Sequence, residues 1–125
     1  MNEPKITDRG WAGHFICADR CRFRRNTLID FGKKKIVVST VGVMPNPLGE
    51  GFTTIGLNRH YETMAFRAKK DGAYWDADVT KEVSFESNWR VEKISDDSDN
   101  KANEMHDAVV KELAMLKSRT EPKGE

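Results

Sequence analysis

The chain has 125 residues, enough for one domain with an ordinary core and too few for two independent ones. Charged residues make up 33% of it, yet the formal net charge is only +1, which excludes a basic nucleic-acid coat and an acidic solvating tail. No apolar run approaches the roughly 18 residues of a membrane span, and "MNEPKITDRG" lacks the apolar segment of a signal peptide, so a cytoplasmic location is expected.

Residues 1–9 read as a flexible lead. Residues 11–17, "WAGHFIC", are aromatic and apolar enough for a strand, and "RFRRNTLIDF" continues with Phe23, Leu28 and Phe31 among polar residues. "KKKIVVSTVGVM" supplies a β-branched run, so the pair is expected to form an antiparallel hairpin that turns near Gly32. The prolines and glycines of "MPNPLGEGF" predict a loop, a candidate lid or pocket rim. "RHYETMAFRA" and "YWDADVTKEVSF" flank Asp71-Gly72, the clearest hairpin signal in the chain, and a last short strand is expected over "NWRVEKI". The segment "DDSDNKANEMHDAVVKELAMLKSR" changes character. Ala102, Met105, Val109, Leu113 and Leu116 recur at spacings of three and four, with acids early and cations late, which predicts an amphipathic helix. Residues 120–125 are expected to fray. The expected fold is a single α+β domain: an antiparallel sheet of about five strands with a C-terminal amphipathic helix on one face or on a neighbouring subunit. Ala102, Val110 and Met115 widen the apolar helix surface beyond one sheet face, which predicts a homo-oligomer.

Charge is unevenly spread. Arg20, Arg22, Arg24 and Arg25, followed by Lys33, Lys34 and Lys35, face a single acid, Asp30, whereas the stretch from Asp96 to Asp107 is mostly acidic. Such opposition can be satisfied within a subunit, between subunits or by an anionic ligand. On a strand Arg20, Arg22 and Arg24 share one face, and Cys21, Phe23 and Arg25 the other. A row of guanidiniums matches phosphate oxygens in bidentate fashion; the alternative is a set of arginines paired with the acidic helix start.

Asn58 and Arg59, beside Gly56, suit a loop that presents an amide and a guanidinium to a ligand. Tyr74 and Trp75 offer faces for base stacking, with Asp76 and Asp78 for ribose or cation contact, although hairpin aromatics also serve as core; Trp11 carries the same ambiguity. A metal site would draw on His14, Cys17 and Cys21 with His60 or His106, but only one cysteine pair exists and an extended strand turns His14 and Cys17 to opposite faces. No metal and no cofactor are expected. Phosphate-loop, dinucleotide, nucleophile-elbow and zinc-protease motifs are absent from the sequence, which lowers the expectation of catalysis.

"RGWAGHFICADRCRFRRNTLI", "IVVSTVG", "IGLNRHYETMAF" and "DGAYWDADV", in that order across residues 9–116, resemble the small phage proteins that counter the Thoeris bacterial defence, the first described class of Thoeris anti-defence sponges. That resemblance implies a compact α+β subunit that assembles into oligomers and sequesters cyclic ADP-ribose isomers without turnover, with cyclic oligonucleotides held at separate sites in some members. Chemistry then nominates the contacts: Arg20, Arg22, Arg24 and Arg25 for phosphates, Trp11 or Trp75 for adenine, Asn58 and Arg59 for the rim. The alternatives are an inhibitor that binds protein or nucleic acid through the basic strand, or a small phosphodiesterase or hydrolase.

Overall fold

A computed structural model of the chain describes residues 3–9, 21–46, 48–54, 60–87 and 97–120, with side chains at all of these but 71 and 116–120. The fold is α+β. Five strands, β1 (Lys5–Arg9), β2 (Phe23–Asp30), β3 (Lys35–Gly42), β6 (Tyr61–Asp71) and β7 (Tyr74–Val83), form one antiparallel sheet in the order β1-β2-β3-β6-β7. Two short strands, β4 (Met44–Pro45) and β5 (Phe52–Thr53), pair as a separate arm, and α1 (Ser98–Thr120) follows. The strands expected at 11–17 and 88–94 lie outside the described residues.

Both hairpins turn where glycine permits it. Gly32 adopts φ +97° between β2 and β3, its N–H donating to Asp30 Oδ1 at 2.8 Å, and Gly72 adopts φ +62° between the paired residues Asp71 and Tyr74. The proline- and glycine-rich stretch stays out of the main sheet, as proline's missing donor requires, and closes on itself: Asn46 N donates to Gly51 O, and Asn46 Oδ1 accepts from Leu48 N. Leu48, at its tip, is 95% exposed.

Residues directly opposite one another in an antiparallel ladder share a face. The register Phe23↔Gly42, Arg25↔Thr40, Thr27↔Val38 and Ile29↔Ile36, continued by Val38↔Ala65, defines an inner face covered by α1. There Ile29, Ile36, Val38, Ala65 and Val83 meet Met105, Val109, Val110, Leu113 and Ala114 in one core cluster. A second cluster joins Phe23, Val43, Tyr61 and Ala102 near the start of the helix. Val37, Ser39 and Val41, on the outer face, are also fully buried. The middle strand is therefore buried on both sides, and its run of β-branched residues lacks polar alternation for that reason.

Two expectations change. Lys5–Arg9 is not a free lead but an edge strand, paired with Asn26–Asp30. Val110 and Ala102, expected to leave spare apolar surface, are covered by the chain's own sheet; Met115 is the helix residue left half exposed. The sheet also coils strongly. The register breaks between Phe66 and Ala68, and the distal hairpin brings the Trp75 carbonyl, on one edge strand, within hydrogen-bonding reach of the Arg9 guanidinium on the other.

Candidate functional site

The arginines at and before the start of β2 differ in burial. Arg22 and Arg24 are exposed, whereas Arg25 lies under the helix with its side chain 22% exposed. Arg25 donates to Asp8 at 2.9 Å and to Asp107 at 2.7 Å, with Asn103 Oδ1 at 3.4 Å. Burial alone pulls its pKa down, but the hydrogen bonds and charges of the two carboxylates outweigh it, and the net shift is upward. Its charge is thus spent on joining β1, β2 and α1, and the expectation that it holds phosphate is replaced by this pairing. Arg20, Trp11, Asn58 and Arg59, together with His14 and Cys17, lie outside the described residues.

Arg22 sits at the open end of the sheet. Its N–H donates to Val43 O at 3.0 Å, and Val43 N–H donates to His60 O at 3.1 Å, so Arg22, Val43 and His60 form one row just past the last paired register, Phe23↔Gly42↔Tyr61. The backbone here is tightly built. A Cβ on Gly42 would lie 2.3 Å from the Tyr61 ring, and Val43 adopts φ +45°, a left-handed conformation that a β-branched residue rarely takes. The Arg22 guanidinium lies 5.2 Å above the centre of the Phe52 ring and 3.9 Å from Asp99 in the first turn of α1. Asp99 in turn accepts a hydrogen bond from the Tyr61 hydroxyl. Burial first, and then the Asp99 carboxylate, push the Tyr61 pKa well above its ordinary value, against the opposing hydrogen bond and charge of Arg22, so the phenol stays protonated. Phe23 braces the Tyr61 ring edge-on, 5.6 Å between centroids. The arrangement presents one planar cation, fixed by stacking and still 53% exposed, at a rigid corner.

Trp75 is placed elsewhere. Lys35 Nζ lies 4.5 Å from its ring centre and Lys70 Nζ 5.5 Å, and Lys35 belongs to the start of β3, whereas Val43 follows its end. The structure does not bring Trp75 to Arg22, and ammonium groups occupy the ring's surroundings where a base was expected. Asp76 and Asp78 accept local backbone hydrogen bonds from Ala77 and Thr80. Tyr74 is exposed at the turn.

No protein-family model, curated protein or solved structure matches the chain. The reading of the site rests on its geometry and on the sequence.

The imidazole of His106 serves the fold. His106 is completely buried on α1, with Nε2 2.7 Å from Thr27 Oγ1 and Nδ1 2.8 Å from Thr40 Oγ1; Thr27 also bonds Asp8, and Thr40 bonds Thr63. Burial, and then the positive charge of Arg25, lower its pKa to about 4, so it is neutral at pH 7. Cys21 is buried apart from it, and the described residues contain no cluster of three metal-ligating side chains. Among the described residues no helix is long and apolar enough to cross a membrane. Sequence reasoning missed Asp8, Arg9, Val43 and Asp99 as parts of these networks. It named His60 as a possible metal ligand or general base, because contacts between residues so distant in the chain leave no local pattern.

Proposed function

We propose that the chain is a non-enzymatic binding protein that captures a small anionic nucleotide signal at the corner marked by Arg22 and withholds it from a defence effector. The observation that carries this reading is the Arg22 guanidinium, stacked on Phe52 and half exposed, on a strand where the neighbouring Arg25 is neutralised internally. A guanidinium fixed in this way loses little freedom on meeting a phosphate, and its fork matches phosphate oxygens. Arg24, exposed on the same strand, extends the positive surface. The likeness to Thoeris anti-defence sponges supplies the ligand class, cyclic ADP-ribose isomers, and the cytosol of an infected bacterium as the place of action. Assembly into a homo-oligomer belongs to the same reading. The exposed Leu48 and Phe52 of the arm beside Arg22 give such an assembly apolar surface to cover.

Capture is tested by incubating the protein with cyclic ADP-ribose isomers and cyclic oligonucleotides, removing unbound ligand, denaturing the protein and analysing what is released. Unchanged ligand supports the proposal. A chemically altered product indicates an enzyme, and no capture at micromolar protein points to a macromolecular partner for the basic strand.

A further inference from the structure

We infer that the basic rim where the β2–β3 and β6–β7 turns meet, at the end of the sheet away from Arg22, is a second surface of the protein and binds a stretch of single-stranded nucleic acid. Lys5, Lys33, Lys34 and Lys70 meet its phosphates, and Tyr74 stacks on a base. The inference stands apart from the binding role proposed above and uses none of its residues.

Trp75 pins the two turns together. Lys5, Asp30 and Lys35 stand opposite one another on β1, β2 and β3, and so do Lys70 and Trp75 on β6 and β7. The Lys35 ammonium joins the two sets: it lies 4.5 Å from the Trp75 ring centre, 2.7 Å from the Gly32 carbonyl and 3.5 Å from Asp30. Lys70 approaches the same ring to 5.5 Å. Lys35 therefore works inside the fold, its side chain only 15% exposed, and holds the turn that carries Lys33 and Lys34 beside the turn that carries Lys70 and Tyr74.

Charge gathers at this rim. Residues 30–35 and 70–74 carry four lysines against Asp30 and Asp71, and Lys5 adds a fifth cation opposite Asp30. Asp30 is already engaged, by the Gly32 N–H as well as by Lys35. Lys5, Lys33 and Lys70 are exposed, and Lys34 is half-buried. Like charges side by side cost free energy, and a polyanion offsets that cost while releasing a counterion for each phosphate neutralised. The chain's formal charge of +1 excludes an extended nucleic-acid coat but not a footprint of a few phosphates.

The exposed aromatic chooses among polyanions. Tyr74 is 64% exposed, and an aromatic ring presented among lysines is the platform on which an unpaired base stacks, with little regard to sequence. A duplex keeps its bases stacked on one another and would leave that ring unused. A bilayer needs an apolar wedge, which the rest of the tip, Gly72 and Ala73, does not supply; the exposed Leu48 and Phe52 belong to the arm at the other end of β3.

The test is fluorescence anisotropy of a labelled oligo(dT) of about 15 nucleotides titrated with the full chain at about 50 mM salt. Saturable binding at micromolar protein is expected, with log K falling against log[salt] at a slope of about −2 to −3, the signature of three or four phosphate contacts. The folded double variant Lys33→Gln/Lys34→Gln and the single variant Lys70→Gln should each weaken binding about threefold or more and flatten that slope. Tyr74→Ala should weaken it about fivefold or more with the slope unchanged, while Tyr74→Phe, which keeps the ring, retains it. Arg22→Ala should bind the oligonucleotide as the natural protein does, whether or not it captures a nucleotide signal, so this inference and the proposed function fail separately. Absence of saturable binding overturns the inference, as does binding that the lysine and tyrosine variants leave intact or that Arg22→Ala abolishes. Capture by phosphatidylserine vesicles with no binding of the oligonucleotide overturns it in favour of a membrane surface.

Discussion

Arg22, just before β2, and Arg25, within it, stand three residues apart in very different surroundings. Arg25 is wedged between Asp8 and Asp107 beneath the helix, where every neighbouring group finds a partner: His106 fills both of its nitrogens with threonine hydroxyls, and the chain of hydrogen bonds runs on to Thr63. Arg22 stands on an aromatic ring at a corner that contains a left-handed valine. The difference teaches that clustered charge in a sequence does not by itself mark a ligand site. Arg25 has two carboxylates within hydrogen-bonding distance, whereas Arg22 has one at 3.9 Å and keeps half of its side chain exposed.

The largest effect expected from breaking the helix-covered region comes from Leu113→Asp, which puts a carboxylate into the main core cluster. It should cost more than about 4 kcal/mol and unfold the chain, as circular dichroism would show. Val110→Asp, which the sequence alone would choose as a test of assembly, is a test of folding for the same reason.

Next comes acid. The pKa of His106 is about 4 in the fold against an ordinary value of 6.5, so the unfolded chain binds the extra proton between these limits. The stability that the neutral ring contributes is complete above about pH 6.5 and is lost as the pH falls towards 4, by roughly 3 kcal/mol. The charged groups facing the ring are Arg25, which opposes its protonation, and Asp8 and Asp107, which favour it. Burial raises the Asp8 pKa, but hydrogen bonds from Thr27 and Arg25 outweigh this and hold it below the ordinary value, so its contribution disappears only at the acid end. Urea unfolding at pH 7 and pH 5 should show a marked loss in the natural chain and a much smaller pH difference in His106→Asn.

The sequence made this region only partly legible. The two hairpins were readable because Gly32 and Asp71-Gly72 sit between β-branched and aromatic runs, and the helix because its apolar spacing is regular. Strand parity predicts Arg25 on the face opposite Arg22 and Arg24, yet both Arg22 and Arg25 lie near carboxylates of α1. The partner of Arg25, Asp107, is 82 positions away, and only the packed helix reveals it. "KITDR" carries no apolar alternation, since its stability comes from pairing with β2 and from the side chains of Asp8 and Arg9. Val43 is a strand former by composition, so nothing local announces its left-handed turn. Trp75 read as a stacking face because the lysines around it come from other strands or from the opposite arm of the hairpin.

Arg25→Ala should destabilise the fold by about 1–3 kcal/mol, because it leaves Asp8 and Asp107 without their shared cation, yet the folded protein should keep its ligand. Arg22→Ala should change stability by no more than about 0.5 kcal/mol. Chemical denaturation of the two variants side by side checks both values.

Under the proposed function, the exposed guanidinium at the sheet corner, and not the buried one, holds the ligand. This is tested by calorimetric titration of the folded Arg22→Ala variant, beside the natural protein, with any cyclic nucleotide recovered unchanged in the capture experiment. Loss of charge-assisted hydrogen bonds should weaken binding by about tenfold or more. An affinity equal to that of the natural protein would contradict the account.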